Sequence, residues 1–239
     1  MGLTDPGQKD SAPDHARRVR EMFARISPRY DLLNHLLSAN IDSRWRRRVV
    51  KKLQPLITEN ARVLDVGCGT GDLSIALFEK TAARVIGVDF CRPMLQLAKH
   101  KAPRLKFIEG DALTLPFADE TFDGVTIGFA LRNLSSVEQG LAEFKRVMKP
   151  RGWLAILEFS QPTVPGVRQL VRFYYWRLLP WIGGLLSGSP NAYQYLPDSI
   201  SKFPDQEKLA GMMRAAGFEK VEFENLSGGI AALHIGRRE

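Results

Sequence analysis

The feature that most constrains this chain is a short apolar run, Arg62–Val66, ending in three glycines spaced by one residue: Gly67, Gly69 and Gly71. Directly behind them, Asp72–Lys80 places Leu73, Ala76 and Leu77 on one face of a helix. A strand that turns into a helix through glycines opens a β-α-β unit, because the turn needs backbone conformations that side chains disfavour. The alternation then continues. Arg84–Val88, Leu105–Glu109, Phe122–Gly128 and Trp153–Phe159 read as strands. Pro93–Lys101 and Val137–Met148 read as helices, the second ended by Pro150-Arg151-Gly152. This rhythm predicts an α/β fold, a parallel sheet with helices on both faces and a binding crevice at the carboxyl ends of its strands. A helix from Asp205, capped near Gly217, and two last strands, Glu219–Asn225 and Ile230–Gly236, complete the pattern.

Two segments fall outside the rhythm. Residues 15–56 read as helices broken at Ser27-Pro28 and near Ser38-Ala39-Asn40, with Leu32, Leu33, Leu36 and Leu37 at helical spacing. Residues 161–204 are rich in aromatics, Pro and Gly and read as an insert or lid. The expected organisation is a disordered tail over 1–14 and a single domain over 15–239. Within that domain lie a helical basic cover (15–56), a ligand-binding core (57–160), the insert (161–204) and a C-terminal helix with strands (205–239).

Glycine spacing narrows the ligand. The dinucleotide fingerprint places its third glycine where this chain has Asp72; here it comes one residue early, at Gly71. The Gly-Lys-Ser/Thr of a phosphate loop is absent. Acids stand instead at three strand ends. Asp89 can accept hydrogen bonds from both hydroxyls of a ribose. Asp65 can orient backbone amides or meet an ammonium group. Asp111 can take the exocyclic amine of adenine, beside the N–H of Ala112. Three acids suit a cationic adenosyl amino acid better than a pyrophosphate.

The set Asp65, Gly67, Gly69, Thr70, Gly71, Asp89 and Asp111 resembles the class I S-adenosylmethionine-dependent methyltransferases. That resemblance implies a Rossmann-like seven-stranded sheet, mostly parallel with the last strand antiparallel, and S-adenosylmethionine as cofactor. Further segments are similar to the menaquinone/ubiquinone biosynthesis C-methyltransferases. They are Tyr30-Asp31-Leu32-Leu33-Asn34 with Ser38 and Trp45, and Phe129-Ala130-Leu131-Arg132-Asn133. Also similar are Arg146-Val147-Met148-Lys149-Pro150 with Gly152, Glu158-Phe159-Ser160, and Ala192-Tyr193 with Tyr195-Leu196. The chain departs from that family's pattern at Asp42 (usually His), Arg151 (usually Gly) and Gly128 (often Ser).

This second resemblance implies methylation of a ring carbon of a polyprenylated quinol, demethylmenaquinol first and a benzoquinol of ubiquinone biosynthesis as the alternative. An electron-rich quinol carbon attacks the sulfonium methyl, and loss of a phenolic proton, with a pKa of about 10, activates it. Arg132 is the expected stabiliser of the phenolate, because its guanidinium stays charged. Asn133 is expected to orient the second oxygen or a water, and Tyr30 to hydrogen-bond the substrate. A salt bridge to a neighbouring acid is the alternative for Arg132, and a core position the alternative for Tyr30. No metal is expected at the site.

Charge and hydropathy bear on where such a substrate is met. The net charge is +8, and residues 15–52 account for all of it, with eleven Lys/Arg against three acids; the rest balances at 23 of each sign. Residues 164–186 hold Arg168, Arg172 and Arg177, no acid, and Phe173, Tyr174, Tyr175, Trp176 and Trp181. Both segments suit an anionic membrane surface. Pro180, Gly183 and Gly184 argue against a spanning helix, and a lid or a homodimer contact remains the alternative. The balanced remainder speaks against nucleic acid. Cys68 and Cys91 are too few for a disulfide framework and fit a reducing compartment. The expected location is the cytoplasm, at the inner face of the membrane.

Overall fold

The computed structural model describes residues 12–32, 38, 40–173 and 190–239. Seven strands form one sheet: β1 (Arg62–Val66), β2 (Arg84–Asp89), β3 (Lys106–Glu109), β4 (Phe122–Gly128), β5 (Met148–Phe159), β6 (Phe218–Leu226) and β7 (Ala231–Arg238). Their order is β3-β2-β1-β4-β5-β7-β6. The first five are parallel, and β7 runs antiparallel between β5 and β6, as the first resemblance implies. Helices α1 (Ala12–Ile26) and α2 (Ile41–Leu53) precede the sheet. Then come α3 (Asp72–Lys80), α4 (Arg92–Lys101), α5 (Val137–Val147), α6 (Pro165–Phe173), α7 (Pro190–Lys202) and α8 (Gln206–Ala215).

Alternation along the central strands divides the core between the two faces of the sheet. Leu64 and Val66 of β1, Val125 and Ile127 of β4, and Leu154 and Ile156 of β5 pack with Leu141 and Phe144 of α5 and Met213 of α8. Val63 of β1 and Trp153, Ala155 and Leu157 of β5 pack with Trp45, Val49 and Leu53 of α2 and Leu77 of α3. Strands apolar on both faces suit only a sheet covered on both sides. Leu64 is fully buried, and truncating such a residue to alanine costs about 3 kcal/mol.

Three boundaries differ from expectation. The first helix begins at Ala12, inside the segment read as a tail, while residues 1–11 lie outside the described residues. Helix α5 ends at Val147, and Met148 is already strand, paired with Phe122. The Pro150-Arg151-Gly152 run therefore does not follow a helix; it lies within β5, where the register against β4 shifts between Phe122 and Gly124. Arg151 there has φ +63°, the left-handed conformation that glycine adopts without a Cβ penalty. The break at Ser27-Pro28 appears as a 3-10 turn over Ser27–Arg29. The expected helical positions Leu33, Leu36 and Leu37 lie outside the described residues, as do Asn34, Ala39 and insert residues 174–189, including the aromatics Tyr174, Tyr175, Trp176 and Trp181.

Candidate functional site

The glycine turn is set by three left-handed glycines, Gly67, Gly69 and Gly71, and the first two have different surroundings. Gly67 has φ +61°, and a Cβ there would lie 2.4 Å from the Cβ of Ala130, so the turn abuts the chain leaving β4. Gly69 has φ +55°, and a Cβ would meet nothing within 4 Å, so its backbone faces open space. Asp89, at the end of β2, pins this turn. Its Oδ2 accepts from the Gly69 N–H at 2.8 Å and its Oδ1 from the Cys91 N–H at 2.8 Å. Burial pushes its pKa up, and those backbone donors work against the rise.

A cavity of about 400 Å³ opens here. Gly67, Gly69, Asp89, Asp111 and Ala112 line it, and so do Tyr30 and Asn133. Asp111 is held in a turn by the Leu113 N–H, 2.9 Å from its Oδ1. Asn133 sits in a 3-10 turn after β4, Leu131–Asn133, where the phenol of Tyr195 donates to its Oδ1 at 2.9 Å. That bond makes Oδ1 the acceptor and Nδ2 the donor of the amide. Burial raises the Tyr195 pKa, so the phenol stays protonated. Ala16, Phe23 and Tyr30 bring the N-terminal cover to the cavity wall, and Phe23 and Tyr30 meet edge to face at 5.9 Å.

Four of the expected site residues stand behind the wall rather than in it. Asp65 is 1% exposed, with its Oδ2 accepting from Ser74 at 2.5 Å and its Oδ1 from Thr126 at 2.7 Å. Strand register opposes Asp65 to Thr126, which explains the second bond. Burial, only partly offset by those hydroxyls, pushes the Asp65 pKa up to about 6. Thr70 is buried, donating to Asp31 at 2.5 Å and accepting from Lys101 at 3.2 Å. Gly71 packs against Phe107 and Ala98.

Arg132 is the fourth. Its Nη1 donates to Glu158 Oε1 at 2.6 Å and to the Phe129 carbonyl at 2.5 Å, and its guanidinium lies 5.2 Å over the Phe159 ring. The ion pair is buried, with side-chain exposures of 7% and 1%. The salt bridge given as the alternative for Arg132 is present.

Several wall residues were not among the expected site residues. Gly128, Phe129 and Ala130 line the cavity because β4 ends there, and Phe90 and Met94 because they follow Asp89. Gln139, on α5, reaches the same wall. The cover is also tied down. Lys101 pairs with Asp31 at 2.9 Å and with Asp72, while Arg46 pairs with Asp42 at 2.7 Å and Asp72 at 3.4 Å. Asp42, one of the departures, also accepts from Ser38 at 2.7 Å.

A sequence model of the ubiE/COQ5 methyltransferase family matches residues 11–238. The chain belongs to that family. Among relatives of this ubiE/COQ5 chain, a demethylmenaquinone methyltransferase of Thermus thermophilus is 48% identical, over 91% of the chain and 100% of the relative. A ubiquinone/menaquinone biosynthesis C-methyltransferase of Citrifermentans bemidjiense is 43% identical, over 94% and 98%. Solved structures share the fold at lower identity. A SAM-dependent methyltransferase of Thermotoga maritima superposes with TM-score 0.65 at 18% identity, covering 92% of this chain and 99% of its own. A phosphoethanolamine N-methyltransferase of Haemonchus contortus, in complex with S-adenosyl-L-methionine, gives 0.59 at 15%, covering 80% and 52%.

Proposed function

We propose that this ubiE/COQ5 methyltransferase transfers a methyl group from S-adenosylmethionine to a ring carbon of a polyprenylated quinol, with demethylmenaquinol as its acceptor. The observation that carries the reading is one cavity walled by both the glycine turn and the Tyr30–Asn133 side. The Gly69 backbone, open to space, and the Asp89 and Asp111 carboxylates fit an adenosyl amino acid. Bound there, adenosylmethionine supplies an electrophilic methyl on sulfur. The demethylmenaquinone and quinone C-methyltransferase names of the relatives, at 48% and 43% identity, favour the quinol as the other reactant.

The chemistry assigned to the chain's own residues is modest. Asp89 holds the ribose hydroxyls with the lone pairs that the Gly69 and Cys91 amides leave. Asp111 and Ala112 take the adenine edge. Asn133, its amide oriented by Tyr195, donates Nδ2–H to a phenolic oxygen as charge develops on it, and Tyr30 donates to the quinol from the cover. The carboxylates on the wall, among the described residues, are those of Asp89 and Asp111, both assigned to the adenosyl end.

The domain plan follows: a cover and an insert over one cofactor-binding core. Among the described residues no helix is long and apolar enough to cross a membrane. The membrane that carries the prenyl tail is met instead through the exposed stripe Arg44, Arg47 and Lys51 on α2 and through exposed Val164, just before α6, and Leu170, on it. The deciding assay supplies adenosylmethionine with short-chain demethylmenaquinol, kept reduced, and a matched demethylated benzoquinol, with product read by mass. Carbon methylation of the naphthoquinol is expected. Transfer only to the benzoquinol moves the acceptor to ubiquinone biosynthesis, and transfer to neither, despite cofactor binding, overturns the quinol reading.

A further inference from the structure

The ion pair behind the cavity points to a positioning residue that was not among the expected site residues. Glu158 ends β5 almost wholly buried and holds Arg132 twice, once through the guanidinium at 2.6 Å and once through the Arg132 backbone N–H at 3.2 Å to Oε2. The Phe159 N–H adds a third donor at 2.9 Å to Oε1. The guanidinium in turn grips the carbonyl of Phe129. Phe129 has φ +58°, a left-handed conformation costing an aromatic residue on the order of 1–3 kcal/mol. Its N–H is tied to the Leu157 carbonyl at 2.7 Å, and its ring packs 4.7 Å from Phe159. The strained residue is thus held at its N–H, its carbonyl and its ring. The next residue is Ala130, against which Gly67 of the glycine turn is seated.

From this geometry we infer that Glu158 sets the adenosylmethionine site by holding Arg132, which holds Phe129 left-handed and so fixes the wall at Gly128–Ala130 against Gly67. Arg132 acts here as a strut, through Nη1; its Nε is buried without a partner. A lysine ammonium placed at the Nη1 position makes both of that nitrogen's bonds. A role as a planar guanidinium fork on a substrate oxygen instead leaves adenosylmethionine binding unchanged in Arg132→Met and Arg132→Lys alike, and cuts methyl transfer in both.

The inference rests on the proposed function only for the identity of the ligand, and the test reads dissociation constants for adenosylmethionine by calorimetry well below the melting temperature. Arg132→Met and Glu158→Gln are each expected to weaken binding about tenfold, the loss of one charge-assisted hydrogen bond. The double variant is expected to bind no more weakly than either single one, because both act through Phe129. Arg132→Lys is expected to stay within about threefold of wild type. Glu158→Gln leaves a buried cation unpaired and can fail to fold. The double variant has no such cation, and its comparison with Arg132→Met alone then decides. Wild-type affinity in Glu158→Gln, additive losses in the double variant, or Arg132→Lys as weak as Arg132→Met would each overturn the inference. Wild-type binding without methyl transfer to either quinol counts against the acceptor alone and leaves this comparison intact.

Discussion

The carboxylate of Asp31, in the N-terminal cover, lies 2.5 Å from the hydroxyl of Thr70, in the glycine turn. Its second oxygen meets Lys101, which also reaches Asp72 at the start of α3. The cover is therefore fastened to the glycine turn and the start of α3 through groups only partly shielded from solvent. Such pairs contribute about 1 kcal/mol or less each. Asp31→Ala should free the cover without unfolding the sheet. Tryptic cleavage after Arg25 or Arg29 is expected to speed up about fivefold, with the global melting temperature within about 2 °C of wild type. Unchanged cleavage would mean that packing, not this clasp, holds the cover.

Asp65 makes a pH prediction of definite sign. Its folded pKa of about 6 lies above the unfolded value of about 4. The native state thus holds this proton where the unfolded chain has already lost it. Stability from this group is present below pH ~4 and lost as pH rises to ~6, by up to about 3 kcal/mol. Asp65→Asn keeps a partner for each hydroxyl and removes the buried charge. Its melting temperature should gain on wild type between pH 4 and 6 and stay ahead at pH 8. Parallel melting curves for the two proteins across that range would rule this out.

Arg151 offers a stabilising change. The residue is left-handed within a strand, where the family resemblance has glycine. Arg151→Gly should add about 1 kcal/mol and raise the melting temperature by about 3 °C. A lower melting temperature would show that the long Arg151 side chain matters more than the backbone conformation.

On α2, Arg44, Arg47 and Lys51 form an exposed stripe beside Arg46, which is paired with Asp42, and Arg48 and Lys52, which are paired with Glu224. Replacing all three by glutamine should lower partition onto vesicles containing anionic lipid by on the order of a hundredfold, at about 1 kcal/mol per charge. Binding to neutral vesicles should not change. Equal partition of the two proteins on anionic vesicles would remove this face from membrane contact.

The centre of the sheet was legible because β1, β2, β4 and the Trp153–Phe159 stretch of β5 are short, mostly apolar runs, and the adenosyl end because glycines and acids cluster at strand ends. Asp89 and Asp111 needed only their position after a strand to be placed at the cavity. Arg132 was legible as important but its partner was not. Its partner Glu158 is 26 residues away, and nothing local says that a strand-end acid turns toward it. Asp65 looked like its neighbours in the motif; that it is buried on Thr126 follows from β1 lying beside β4, a pairing that local sequence does not encode. The helix boundary at Val147 was missed because Pro150-Arg151-Gly152 reads as a terminator. A strand hides such a run only if it can bulge.

Helix α2 is fixed by residues that lie far along the chain. Trp45 donates to Ser227 across a separation of 182 residues, and Arg48 holds Glu224 across 176. On a ribosome, this helix emerges before any strand it covers, and its last partners arrive only with β6 and the turn behind it. Until then Trp45 and its apolar neighbours have no complete surface to dock on. One of the earliest segments to be synthesised is thus among the last to be locked in place. A nascent chain stalled before residue 224 would carry the finished glycine turn beneath a cover that has not yet closed.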